Sequence, residues 1–207
     1  MSSDGVVHVI DDDQAVRQSL AFLLGTMNVA VRTYESAVAF LDALPNVEPG
    51  CIISDVRMPE VDGLELLRRM RNLDSNMPVI MITGHGDVPL AVEAMKAGAV
   101  DFLEKPFDDE VVLTAVRSAL DQQRKDSRRE AERSETQHRL ASLSERERQV
   151  LDGLVAGHPN KTIAYDLGIS PRTVEIYRAN VMTKMSAASL SELVRMALLA
   201  GVLSEHP

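Results

Sequence analysis

Five times within its first 122 residues the chain repeats one pattern: an apolar run of strand length, then a longer segment with apolar residues every third or fourth position. The runs at 6–10, 29–33, 51–54, 79–82 and 99–103 predict strands. The intervening segments at 14–26, 36–44, 63–72, 88–97 and 109–121 predict helices, as in the spacing of Leu64, Leu67 and Met70 or of Leu113, Val116 and Leu120. Such alternation specifies a doubly wound parallel α/β domain with a five-stranded, flavodoxin-like sheet. The pattern then stops. Residues 121–139 are almost wholly polar, with Ala131 as their only candidate for a core, and they predict a solvated linker that is helical in part. No heptad seam runs through them. Beyond Leu140 four short helices are expected, at 145–156, 160–167, 171–185 and 189–200. The division is therefore a domain over 1–122, a linker over 123–142 and an all-α domain over 143–207.

Several function classes drop out. No apolar stretch exceeds about ten residues, too short to cross a bilayer, and Met1 to Gly5 has no signal pattern. The single cysteine, Cys51, cannot form an internal disulfide. A cytoplasmic protein without membrane attachment is expected. The net charge of −9 is unevenly placed: residues 1–122 carry −11, residues 123–141 carry +2 and residues 142–207 are neutral. A chain this acidic binds nucleic acid poorly in the absence of sequence preference, so any such contact needs a local basic face.

In a doubly wound sheet, ligands bind beyond the carboxyl ends of the strands. Asp11 and Asp12 follow the first strand, Asp55 ends the third, Thr83 follows the fourth and Lys105 the fifth. Three carboxylates at one edge repel one another unless a hard cation joins them, and Mg²⁺ (or Mn²⁺) takes such oxygen ligands. Asp55 would then be a nucleophile toward phosphorus, with Lys105 meeting the remaining negative charge and the Thr83 hydroxyl donating to a phosphoryl oxygen. Taken singly, each residue has a plainer reading: Asp13 caps a helix, Asp11 and Asp12 end a strand, and Lys105 is a surface charge.

Residues 1–122 resemble the response-regulator receiver family, through Asp11-Asp12, Asp55 followed by Met58-Pro59 and Asp62-Gly63, Thr83-Gly84 and Lys105-Pro106. The resemblance implies that Asp12 ligates Mg²⁺ directly, that Asp11 acts largely through water and that the Arg57 backbone carbonyl adds an oxygen. It also implies a cis Lys105-Pro106 bond, an aromatic switch at Phe102 that follows Thr83 inward, and self-phosphorylation from a phosphodonor with autodephosphorylation. A receiver dimer surface would include Val92, Lys96 and Asp101. Arg57 and His85 flank the phosphoryl position as candidates for tuning the acyl phosphate's lifetime, while His8 reads as structural. A phosphohydrolase of the haloacid-dehalogenase type would instead use Asp11 as nucleophile and Asp13 as acid/base. The hydroxyl residue expected two positions on is Ala15, and no cap domain follows.

In the second half, Gly168-Ile169-Ser170 separates two short helices, with Ser170 as a cap and Pro171 in the first helical position, a helix-turn-helix signature. The second helix offers Arg172, Thr173, Glu175, Tyr177, Arg178 and Lys184 for groove contact beside an apolar stripe of Val174, Val181 and Met185. Leu143 to Leu151, Asn160 to Ala164 and Ser170 to Glu175 together resemble the LuxR-type DNA-binding family, which implies phosphate contacts by Lys161 and Arg172. The last helix, with Leu190, Leu193, Val194, Ala197 and Leu198, reads as half core and half self-association surface. A protein partner for these helices is the alternative. Over both halves, Ile82 to Pro89 and Ala91 to Phe107 are similar to the nitrogen-fixation branch of the response regulators. That similarity implies a sensor histidine kinase (FixL-like) as phosphodonor, fixation-gene promoter DNA as target, a homodimer when phosphorylated, and RNA polymerase as a further partner.

Overall fold

A computed structural model describes residues 5–73, 75–84 and 88–201 of the chain. His85 lies outside the described residues. The first half has the predicted elements in the predicted order: β1 (Val6–Ile10), α1 (Gln14–Leu24), β2 (Ala30–Tyr34), α2 (Ala37–Ala43), β3 (Cys51–Asp55), α3 (Gly63–Asn72), β4 (Val79–Thr83), α4 (Val88–Ala97), β5 (Asp101–Glu104) and α5, which starts at Asp109. The five strands are parallel, in the order β2-β1-β3-β4-β5. Reversal of strand order at β1 and β3 opens a crevice at their carboxyl ends.

Burial follows position in the sheet. The central strands β1, β3 and β4 are buried at every residue, while β2 and β5 at the edges are only partly covered. A strand covered on both faces is largely apolar, which is why these runs do not alternate. Val7, Val9, Ile53, Ile80 and Ile82 pack on one face against Leu20 and Leu24 of α1 and Val112, Val116 and Leu120 of α5. On the other face, Ile10, Ile52 and Met81 pack with Phe40, Leu64, Leu67, Met70 and Ala94 from α2, α3 and α4.

Several boundaries shift by one or two residues from the sequence pattern, and for two of them the local cause is visible. β5 begins two residues late because the Ala99 amide returns to the Ala94 carbonyl and Gly98, at φ 101°, closes the end of α4. A short 3-10 turn at Leu44–Asn46, containing Pro45, follows α2.

The linker differs more. α5 runs without a break over Asp109–Ala141, 33 residues, so the expected partly helical segment is wholly helical. It contains neither Gly nor Pro, and side-chain pairs one turn apart support it: Gln122 with Asp126, Arg128 with Glu132, and Glu135 with Arg139. Nor is it solvated throughout. Thr136 is buried, its hydroxyl donating to the Glu132 carbonyl, and Leu140 enters the core of the second half. The chain divides into compact units at 127/128, leaving the last turns of α5 with the second unit.

That unit contains α6 (Glu145–Val155), α7 (Asn160–Leu167), α8 (Pro171–Met185) and α9 (Leu190–Leu199). Val150, Leu151 and Leu154 of α6, Ile163 and Ala164 of α7, Val174, Val181 and Met185 of α8 and Leu193 of α9 form its core. Ser144 and Glu147 cap α6 reciprocally. Among the described residues, no helix is long and apolar enough to cross a membrane.

Candidate phosphoryl site and nucleic-acid interface

At the carboxyl edge of the sheet, Asp11 just past β1, Asp55 at the end of β3 and Lys105 just past β5 meet in one cluster. The Lys105 ammonium donates to Asp11 Oδ2 at 2.8 Å and to Asp55 Oδ1 at 2.7 Å, although it stands 94 and 50 residues away in the chain. The other carboxylate oxygens are also engaged. Asp11 Oδ1 accepts from the Asp13 amide at 2.8 Å, and Asp55 Oδ2 accepts from the Arg57 amide at 2.6 Å. Both aspartates are buried, at 1% and 6% exposure. Burial pushes the Asp11 pKa up, against the pull of Lys105 and the Asp13 amide. For Lys105, burial alone lowers the pKa, but hydrogen bonds and charge from both aspartates outweigh it and the net direction is up.

The backbone around Asp55 is equally constrained. The Val56 amide donates to the Ile82 carbonyl and the Gly63 amide to the Val56 carbonyl, both at 2.9 Å, which fastens the start of α3 beneath the end of β3. Asp62 caps α3 by accepting from the Glu65 amide. Gly63 is so close to the strand that a Cβ there would lie 2.2 Å from the Asp55 carbonyl oxygen and 2.6 Å from Met81 Cε. Asp62-Gly63 is legible in the sequence as a motif, but this close approach to β3 is not.

Thr83 ends β4 and is buried; its carbonyl accepts from the Lys105 amide at 2.7 Å. The Lys105-Pro106 bond is cis, as the resemblance implied. Phe102 is half-buried against the core face lined by α2, α3 and α4. Asp12 is exposed and, with Arg57, lines an open cleft that also borders Met58, Pro59, Asp62, Leu90 and Glu93. The expected convergence of three carboxylates thus reduces to two joined by an ammonium, with the third at the rim. Among the described residues no group of three or more His, Cys, Asp or Glu is arranged to hold a metal. Asp11, Asp12 and Asp55 nonetheless offer oxygen donors, and three carboxylates against the Lys105 ammonium leave excess negative charge, which suits a hard divalent cation with waters completing its shell. Asp13 is the α1 cap, accepting from the Ala15 amide at 2.8 Å, so the Asp11/Asp13 hydrolase alternative finds its acid/base already committed.

Val92, Lys96 and Asp101, expected at a dimer surface, differ in their surroundings. Val92 and Lys96 are exposed on α4 beside Val88, Met95 and Val100, while the Asp101 carboxylate accepts from the Phe102 amide at 2.8 Å.

In the second unit, Gly168 at φ 65° ends α7, and Ser170 accepts from the Thr173 amide at 3.1 Å to start α8. Of the residues proposed for DNA, Lys161, Arg172 and Glu175 are exposed. The others are less free. Thr173 is half-buried and hydrogen-bonded to the Ser170 hydroxyl, Tyr177 packs against the core and Arg178 is half-buried. Lys184 is 40% exposed but engaged: its ammonium reaches the buried Glu147 carboxylate at 2.6 Å and the Ser142 carbonyl at 3.2 Å. The exposed face of α8 instead carries Ile176 and Asn180 between Arg172 and Thr183, and Tyr165 projects from α7 at 88% exposure. The phase of Val174, Val181 and Met185 already located this face.

The family described as "Response regulator receiver domain" matches residues 7–117. The chain belongs to the response-regulator family. Residues 141–197 match "Bacterial regulatory proteins, luxR family". This response regulator is 65% identical over 196 residues to the transcriptional regulatory protein FixJ of Azorhizobium caulinodans, covering 95% of this chain and 93% of that protein. It is 56% identical to FixJ of Bradyrhizobium diazoefficiens, covering 99% and 100%. Among solved structures, full-length FixJ from B. japonicum is similar at 56% identity with a TM-score of 0.61, over 98% of this chain and 100% of that one. The response regulator StyR is similar at 37% identity with a TM-score of 0.84, over 93% and 98%. Receiver domains carry aspartate phosphorylation and typically use Mg²⁺, so a response regulator with a DNA-binding domain takes its signal from a kinase and delivers it to DNA.

Proposed function

We propose that Asp55 is the phosphoryl acceptor and that its phosphorylation by a FixL-like sensor histidine kinase makes the chain dimerise and activate nitrogen-fixation promoters. The observation that carries the reading is Lys105 held between Asp11 and Asp55, at 2.8 and 2.7 Å. It joins a buried carboxylate to a cation that can follow its charge. A carboxylate oxygen of Asp55 forms the O–P bond as the phosphorus–nitrogen bond of the donor's phosphohistidine breaks, and the proton balance is met on the departing imidazole. Asp11, Asp12, Asp55 and the Arg57 carbonyl would hold Mg²⁺, which neutralises charge on the phosphoryl oxygens when bound. Lys105 then exchanges its Asp55 contact for a phosphoryl oxygen, and the Thr83 hydroxyl donates to another.

That movement draws Thr83 and the half-buried Phe102 inward. The adjoining surface, with Val88, Val92, Met95 and Val100 exposed and Lys96 and Asp101 as charges of opposite sign, pairs with a second copy. Two recognition helices then act at high effective concentration on one promoter. Lys161, Arg172 and Glu175 remain the base and phosphate contacts of this reading; Lys184, committed to Glu147, does not. RNA polymerase would be recruited by the bound dimer.

Treatment of the full chain with a small-molecule phosphodonor and Mg²⁺, followed by sedimentation and fixation-promoter binding, tests this. Wild type should shift to a dimer and bind; Asp55→Asn should do neither. Dimerisation or donor-dependent promoter binding retained in Asp55→Asn would overturn it.

A further inference from the structure

A helix leaves its last four carbonyls without intrahelical partners. At the carboxyl end of α8, one of these is satisfied from outside the helix-turn-helix. Arg139, in the last turn of α5, donates from Nη1 to the Met185 carbonyl at 2.9 Å. Its Nη2 is held by Glu135 Oε1 at 2.6 Å. One residue earlier in α8, Lys184 is bound to Glu147 and to the Ser142 carbonyl. Two adjacent residues at the end of α8 are therefore fastened, one to the end of α5 and the other to the start of α6. Packing reinforces the link, because Leu140, next to Arg139, shares the core with Val181 and Met185. Both cations also face the negative end of the α8 dipole.

We propose that Arg139 is a positioning residue for DNA reading, holding the carboxyl end of α8 so that sequence-specific affinity depends on the last turn of α5. The inference rests on α8 being the helix that enters the groove. Its physical basis is a difference in tolerance. Phosphate contacts act mainly through charge, whereas base-edge hydrogen bonds weaken steeply with small errors in distance and angle. A helix of 15 residues is about 22 Å long, so a slight displacement at Met185 tilts the whole exposed face. Loss of the anchor should reduce discrimination between sequences and leave general DNA affinity intact. A direct phosphate contact by Arg139 predicts something else: parallel loss on every duplex, and a salt dependence shallower by about one unit of slope.

The test uses the full chain, phosphorylated with a small-molecule donor and Mg²⁺. The probes are a duplex enriched from a random pool by the unsubstituted phosphoprotein and a scrambled duplex of equal length. Arg139→Ala should bind the enriched duplex about tenfold or more weakly, with the scrambled duplex within about twofold and the salt slope unchanged. Arg139→Lys keeps one donor for the Met185 carbonyl and should recover much of the loss. Where Arg139→Ala loses helicity, Glu135→Ala decides: Glu135 is exposed, and its removal frees the guanidinium, so a smaller loss confined to the enriched duplex is expected. Enriched-duplex binding within twofold of wild type in the deciding variant, or parallel weakening of both duplexes, would overturn the inference. Arg172→Ala and Glu175→Ala report on the groove assignment itself. If neither alters sequence preference, α8 is not the reading helix and the inference falls with that assignment; if either does while Arg139→Ala does not, only the inference falls.

Discussion

Replacing Gly63 by Ala should damage phosphoryl acceptance far more than it damages the fold. The added Cβ would lie 2.2 Å from the Asp55 carbonyl oxygen, where real contacts begin near 3.0–3.4 Å, so the start of α3 and the end of β3 must part by about 1 Å. Overpacking of this kind costs about 1–3 kcal/mol. For a unit of this size that is a fall of roughly 4–12 °C in the unfolding midpoint. The displaced backbone is that of Asp55, whose carboxylate meets Lys105 and, on the function proposed above, the incoming phosphorus. A misplacement of about 1 Å at a reacting group can cost about a hundredfold in rate. Gly50 supplies a matched control. Its Cβ would lie 2.1 Å from the Val6 carbonyl oxygen, an equal clash just before the same strand, but about 16 Å from Asp55 at 3.3 Å per residue. Both variants should lose similar stability by thermal denaturation. Only Gly63→Ala should show a large fall in the initial rate of phosphoryl incorporation, followed by intact mass at a temperature where both are folded. Equal loss of rate in the two variants, or a wild-type rate in Gly63→Ala, would refute the reasoning.

Two further outcomes concern pH. Hydrogen bonds from Lys184, then from Ser144, hold the Glu147 carboxyl below its ordinary range, so its contribution is present above about pH 4.3 and is lost as pH falls through the folded value. Glu147→Gln should cost about 1 kcal/mol at neutral pH, limited by the partial exposure of Lys184, and should soften the acid limb of the second unit's unfolding curve; an unchanged acid limb would remove the pair from the account. His8 is buried at 1% exposure between the Glu48 carbonyl at 2.9 Å and the Tyr34 hydroxyl at 3.4 Å, and burial lowers its pKa. The unfolded chain therefore takes up the proton first, and receiver stability should decline as pH drops below about 6.5. Urea midpoints at pH 5 and 7.5 should differ less in His8→Asn than in wild type, and an equal difference would assign the slope elsewhere.

Much of the phosphoryl site could be read from residue order. Once the strand runs are recognised, residues immediately after them must gather at one edge, and Asp11, Asp55, Thr83 and Lys105 do so. Partner choice was less visible. The sequence showed Lys184 as a cation on a basic helix, and only its neighbours in space, Glu147 and the Ser142 carbonyl, reveal that it is engaged within the domain. For Tyr177 and Arg178 the phase of the apolar stripe was the available signal. Residue type pointed to the groove, while phase placed both partly toward the core.

What the sequence determined by itself is periodicity: five strand–helix repeats, a helix-turn-helix with its cap at Ser170, and the charge contrast between halves. These are local properties, set by backbone geometry and by which face must leave water. Tertiary structure alone decided the pairings. Lys105 lies between two aspartates 50 and 94 residues away, and Arg139, in a polar run that reads as linker, holds the end of α8. A charge carries no periodic signature of its partner. Its energy depends on the distance and burial created when separate segments meet, and those exist only after the chain has folded.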